Sequence, residues 1–301
     1  MPKKVPIFLA IGLFAISMSP ILVRFASEAP ALVVVAWRTL FAVLMLLPFG
    51  GRAAVREVRQ MPGKTIGWIL LAGVLLAVHF LTWTESLYHT SVASAAVLVT
   101  TSPIFLAIFG FLLLKERLAR RTVAVILIAV AGAVLIALGD ATEGAFPNAT
   151  YGNFLASAAA LTVTGYLLIG RMVRQGTSWI AYVMLMYVAV AAVVWGVVLV
   201  TQTNPFIYSW TFYGICALIA LGPQMAGHGS FNYALKYLKA ALLGLLSLTE
   251  PVVSATAAYF LFGELPSRLA FAGMIVVLGA VAGEFIGALR ANRKNAQPAA
   301  P

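Results

Sequence analysis

The chain contains one cysteine, Cys216, and one aspartate, Asp140. A single thiol excludes an internal disulfide and any multi-cysteine metal site. A single aspartate argues against Asp-rich prenyl-transfer chemistry, which needs clustered magnesium ligands. Charge of both signs is scarce, at 10% of 301 residues, where a soluble domain carries about a quarter. No stretch reads as a soluble domain. Nucleotide and hydrolytic signatures are missing too: there is no GxxxxGK[ST] to bind ATP, no HExxH and no GxSxG. No small-residue cleavage site ends the first apolar run, so that run is expected to remain as a span. No cofactor, metal or catalytic residue is expected.

What is present is apolar: 62% of the residues are hydrophobic, a surplus that needs lipid as its solvent. The net charge is +11. A basic balance can mean nucleic acid, but here the positive residues lie between apolar runs, so topology explains them and no nucleic-acid partner is expected. Ten spans can be drawn, at 6–24, 31–49, 66–88, 92–114, 121–139, 152–170, 179–201, 211–234, 240–262 and 268–289. Each is long enough for a hydrocarbon core of about 30 Å at about 1.5 Å per residue. With the N-terminus inside, seventeen Lys and Arg fall in inner segments and two, Arg24 and Arg268, in outer ones. That bias places both termini in the cytoplasm.

Residues 85–116 and 233–264 agree at eight of thirty-two positions when slid by 148 without a gap. The matched leucines and alanines say little. The matched Pro103/Pro251 and Glu116/Glu264 say more, because a mid-helix proline and a terminal glutamate recur at one spacing. The chain therefore reads as two copies of a five-span unit. Five is odd, so the second copy enters the membrane upside down, an arrangement found in many secondary transporters. The fold class is an all-α membrane protein, with ten transmembrane helices as two inverted five-helix repeats around a central cavity. Residues 1–145 form the first repeat, 146–290 the second, and 291–301 a flexible cytoplasmic tail.

The segments TSPIFLAIFGFLLLKE (101–116), TEPVVSATAAYFLFGE (249–264) and WRTLFA (37–42) resemble the EamA branch of the drug/metabolite transporter superfamily. The likeness covers 6–290. It implies export of small metabolites, amino acids above all, and the subgroup it most resembles is the aromatic amino-acid exporters of the YddG type.

Several residues stand out by depth and facing. Glu250 lies about ten residues into the ninth span, so roughly 15 Å from its inner end. It is either a cavity carboxylate for a substrate amine or a proton, or a protonated group bonded to backbone freed by Pro251. Its first-half counterpart is Ser102, and Ser247, Glu250 and Ser254 share one helical face. His79 and Trp83 are i, i+4 on the third span; Gln224 and His228 are i, i+4 on the repeat-related eighth. They line a polar site or merely link helices. Two histidines and a glutamate on three helices lack zinc-ligand spacing.

Arg38, beside Trp37, either meets a substrate carboxylate or snorkels outward. Among the deep aromatics, Trp37, Trp83 and Tyr166 are candidates for an apolar wall, with Tyr187 and Trp195 also deep. Pro20, Pro103, Pro223 and Pro251 are candidate kinks or hinges. Gly279, Gly283 and Gly287 form a ridge read as close packing within the bundle, with a dimer face as the alternative, so a monomer is expected.

The combined expectation is a bacterial-type inner-membrane exporter of small amphipathic metabolites, neutral and aromatic amino acids first, working by alternating access. Its partners are the lipid bilayer and a small-molecule substrate. Glu250, His79 and His228 are the titratable candidates for proton coupling. The rivals are a multidrug exporter of lipophilic cations, an intramembrane lipid-modifying enzyme and a helical scaffold.

Overall fold

A computed structural model describes residues 2, 4–140, 148–262 and 267–296. The repeat boundary at 145/146, Glu264, Lys3 and the tail beyond 296 lie outside the described residues. Among the described residues there is no strand. The chain runs α1 (Lys4–Ser17), α2 (Ser19–Phe25), α3 (Ala31–Val58), α4 (Gly63–His89), α5 (Val92–Val99), α6 (Ser102–Leu114) and α7 (Arg120–Asp140). It continues with α8 (Ala149–Val173), α9 (Trp179–Val200), α10 (Trp210–Ile219), a π-helical segment (Ala220–His228), α11 (Gly229–Ala234), α12 (Ala240–Ser247), α13 (Glu250–Phe262) and α14 (Arg268–Ala296). Every span drawn from the sequence falls on one helix or on an interrupted run of helices. Among the described residues, seven such runs are long and apolar enough to cross a membrane. The protein is a multi-pass helical membrane protein.

Local chemistry sets the starts. Pro30 and Pro62 precede α3 and α4, and the Ser91, Ser178 and Ser209 hydroxyls accept the orphan amides of Ser94, Ala181 and Phe212. One expected break does not occur. The prolines at 48 and 62 punctuate the sequence as a break closing the span drawn at 31–49, but α3 continues through Pro48 to Val58. A proline is tolerated inside a spanning helix where neighbours re-satisfy the backbone it frees.

The other prolines do interrupt helices. Pro20, Pro103 and Pro251 each sit at the second residue of a helix, just after breaks at Met18, Thr100–Thr101 and Leu248–Thr249. Proline has no N–H, so the carbonyls of Ile16, Val99 and Ser247 lose their i+4 donors. Hydroxyls settle neighbouring carbonyls: Thr101 Oγ1 donates to Leu98 O at 2.7 Å, and Thr249 Oγ1 donates to Leu246 O at 2.8 Å. Pro223 lies inside the π-helical segment.

Packing pairs elements across the two halves. α3 lies along α9, α7 along α14, α5 and α6 against α13 and α12, and α4 against α8, while α1 packs on the π segment and α11. Gly73 permits the close approach of α4 and α9, since a Cβ there would come within 2.6 Å of Ala189 Cβ. The Gly279–Gly283 ridge differs from its expected packing role. A Cβ at either position would meet nothing within 4 Å among the described residues; α14 instead meets α7 at Gly132, whose Cβ would come within 2.9 Å of Gly273 O. The surroundings of Gly287 lie outside the described residues.

Candidate functional site

The interrupted helices converge on a partly enclosed cavity. Ile16, Val99 and Ser247, whose carbonyls the prolines leave short of a donor, all line it. So do Ser102 and Glu250, the first residues of α6 and α13. Phe80, Trp83, Val163, Leu167 and Phe231 supply apolar wall.

Glu250 opens α13 because Pro251 fixes the second position of that helix. Its carboxylate has no hydrogen bond or ion pair among the described residues. The alternative of a glutamate bonded to freed backbone at the kink is therefore not what the geometry shows. Ser247 and Ser254, on the same face, are occupied elsewhere: Ser247 Oγ donates to Gly244 O at 2.8 Å and Ser254 Oγ to Ser17 O at 2.8 Å.

Arg38 enters the cavity from α3. It does not snorkel, being 1% exposed. Its Nε donates to Gln224 Oε1 at 3.1 Å, and its Cζ lies 4.0 Å from the Phe80 ring centroid. A desolvated cation over a ring face in this way gains about 2 kcal/mol. Nη1 and Nη2 are buried and find no partner among the described residues. A buried guanidinium with open donors and no carboxylate beside it is costly, and an arriving carboxylate can take both donors at once.

The histidines share one corner. Nδ1 of His79 lies 2.9 Å from the Ala159 carbonyl, so that nitrogen carries the proton of the bond and Nε2 is left as an acceptor. His228 Nδ1 lies 2.9 Å from the Tyr166 hydroxyl, and the two imidazole centroids are 5.9 Å apart. Among the described residues no three His, Cys, Asp or Glu side chains group as metal ligands.

Seven of the nine substrate candidates thus meet in one cavity: Arg38, His79, Trp83, Ser102, Tyr166, His228 and Glu250. Gln224 is fully buried behind Arg38 and off the wall. Trp37 points away, donating to Pro205 O at 2.8 Å and stacking edge-on with Trp195, Phe206 and Tyr213. Adjacent residues on a helix point about 100° apart, so Arg38 and Trp37 cannot share a target. The sequence reading passed over Phe80. Its signal was its place beside His79 on the face that carries Trp83.

Both ends of the bundle carry polar ties. Arg171 and Glu116 pair at 2.8 Å where α6, α8 and α11 finish, and Lys239 Nζ donates to Arg117 O there at 2.5 Å. At the other end Glu28 Oε1 accepts both the Ser209 amide and hydroxyl, at 3.0 and 2.8 Å.

Comparison with known proteins bears on this architecture. A pseudopaline exporter, CntI, from Pseudomonas aeruginosa is 24% identical over 267 residues, covering 88% of this chain and 90% of that protein. An uncharacterized transporter, YetK, from Bacillus subtilis is 30% identical over 94 residues, 31% of this chain and 28% of that one. A solved crystal structure covers 96% of the chain with 99% of its own length at a TM-score of 0.78 and 20% identity, which shows the fold alone. The sequence model of the EamA-like transporter family matches twice, at residues 3–138 and 150–285, once for each half that meets at the cavity, and the chain belongs to that family.

Proposed function

We propose that the protein exports small amphipathic metabolites, neutral and aromatic amino acids first, by alternating access across a bacterial-type inner membrane. The observation that carries this reading is the pairing of two unsatisfied groups of opposite kind in one apolar-walled cavity. Arg38 offers two open donors and Glu250 an unpartnered carboxylate. An amino-acid zwitterion supplies the complement of both, and Phe80 and Trp83 give its side chain an apolar wall. Val99 and Ser247, whose carbonyls lose a helical donor to Pro103 and Pro251, line the same cavity.

The mechanism follows from duplication. Ten spans in two inverted halves, with both termini cytoplasmic, let the two arrangements exchange and expose one midplane site to either side. Packing supports this. The partners of α4 and of the π segment correspond under exchange of the halves, as do the pairs α3 with α9 and α7 with α14. The Arg171–Glu116 tie then lies at the cytoplasmic mouth and the Glu28–Ser209 tie at the outer one. Glu250 can hold the cargo ammonium or a proton but not both, which couples flux to protons by competition; His79 and His228 are the other titratable groups at the site. Export of this kind needs no cofactor. Likeness to a named exporter of pseudopaline supports outward movement of a metabolite.

The lipophilic-cation reading leaves Arg38 buried beside a cationic cargo with its donors unmet. Proteoliposomes loaded in turn with labelled phenylalanine, 3-phenylpropionate and tetraphenylphosphonium test the reading. Efflux of phenylalanine well above the other two is expected. Efflux of tetraphenylphosphonium alone would move the protein to the drug class, and no efflux of any would remove transport of this kind.

A further inference from the structure

Gln224 stays off the cavity wall, yet it sets how Arg38 meets the cavity. Its Oε1 takes Arg38 Nε at 3.1 Å, while its own backbone carbonyl accepts the Tyr187 hydroxyl at 2.6 Å. Tyr187 and Gln224 are both fully buried. Gln224 belongs to the π-helical segment beside Pro223, the sort of widened turn that recurs at functional sites because it displaces a side chain from the ordinary helical position. The Phe80 ring covers the guanidinium face. With Nε held and one face stacked, Nη1 and Nη2, side by side on the fork, are the donors without a partner among the described residues.

The choice of amide over acid is the informative part. A glutamate in this place would hold Nε equally well, but it would neutralise the guanidinium and remove the demand for an anion. The amide orients the cation and leaves its charge intact. Its Nε2 has no partner among the described residues, so the amide is kept at the expense of a buried unmet donor. We propose that Gln224 is a positioning residue that makes the cavity selective for cargo bearing a carboxylate. This rests on the reading of Arg38 as the carboxylate partner. Gln224 acts through Arg38, and Tyr187 acts through the Gln224 backbone.

The test compares uptake of phenylalanine with uptake of phenylalaninamide, which keeps the ring and the ammonium but lacks the carboxylate, into proteoliposomes. Wild type should favour phenylalanine. Gln224→Glu should cut phenylalanine uptake by roughly tenfold or more while leaving phenylalaninamide uptake close to its starting value, so the preference shrinks or inverts. Gln224→Met keeps the charge of Arg38 but frees its fork. It should raise KM for phenylalanine with the maximal rate held, and leave the amide unaffected. A Gln224→Glu protein that retains the wild-type preference overturns the proposal. If that variant fails to give a monodisperse protein, Gln224→Met and Tyr187→Phe decide it: loss confined to phenylalanine supports the clamp, and equal loss of both probes overturns it. Wild type that moves neither probe removes the transport reading and this inference together. Wild type that moves phenylalanine, with preference unchanged by the variants, removes the clamp alone.

Discussion

Arg171 Nε lies 2.8 Å from Oε1 of Glu116, so a cation on α8 holds an anion just past the end of α6. The pair is aimed by a left-handed residue: Lys115 has φ 57° and caps α6, with the Glu116 amide turned back to Gly110 O at 3.0 Å. Arg171 Nη1 also donates to Leu235 O at 2.8 Å, so one side chain joins α6, α8 and the α11–α12 connection.

Arg171→Ala is expected to favour the arrangement open to the cytoplasm. A partly exposed pair of this kind contributes about 1 kcal/mol, roughly fivefold in an equilibrium. Ser247→Cys, introduced after Cys216→Ser removes the native thiol, reports the change as faster labelling from the cytoplasmic side. Labelling that is unaltered, or faster from the outside, removes the latch role.

Tyr166 and His228 are expected to be energetically coupled, because both are buried and their hydroxyl and imidazole are 2.9 Å apart. Tyr166→Phe leaves the imidazole nitrogen unmet, at a cost of about 1–3 kcal/mol. In a double-mutant cycle with His228→Leu, thermal unfolding should give a coupling of about 1 kcal/mol. Additive effects would mean the contact contributes nothing.

Two glycines on α4 should respond oppositely to alanine. At Gly73 a Cβ meets Ala189 Cβ at 2.6 Å and Met186 O at 2.9 Å, so Gly73→Ala is expected to cost about 1–3 kcal/mol through overpacking. At Gly67 nothing lies within 4 Å among the described residues, so Gly67→Ala should gain about 0.5–1 kcal/mol from helix propensity. A thermal-shift comparison reads both, and equal shifts would contradict the α4–α9 packing.

Much of this was legible in the sequence because membrane helices obey simple rules. Apolar length marked where helices fall, and depth alone singled out Arg38 and Glu250. Pro20, Pro103 and Pro251 were readable as interruptions because proline removes a donor wherever it stands. Pro48 was misread as a break, since whether a proline ends a helix depends on what packs around it. The π-helical turn at Ala220–His228 was not legible either, because an extra residue in one turn leaves no local signature. Trp37 was grouped with Arg38 by adjacency, and the loop that claims it, at Pro205, lies 168 residues away. Gln224 was visible as polar, but its service to Arg38 needed the distance across halves.

The central claim is that Arg38 and Glu250 take the two ends of one zwitterion. Calorimetric titration of phenylalanine into the purified protein, into Arg38→Ala and into Glu250→Gln, tests it most directly. The account predicts binding to wild type that weakens by roughly tenfold or more in each variant, since a hydrogen bond to a charged group contributes about 1.5–3 kcal/mol. Both variants binding phenylalanine as tightly as wild type would contradict it.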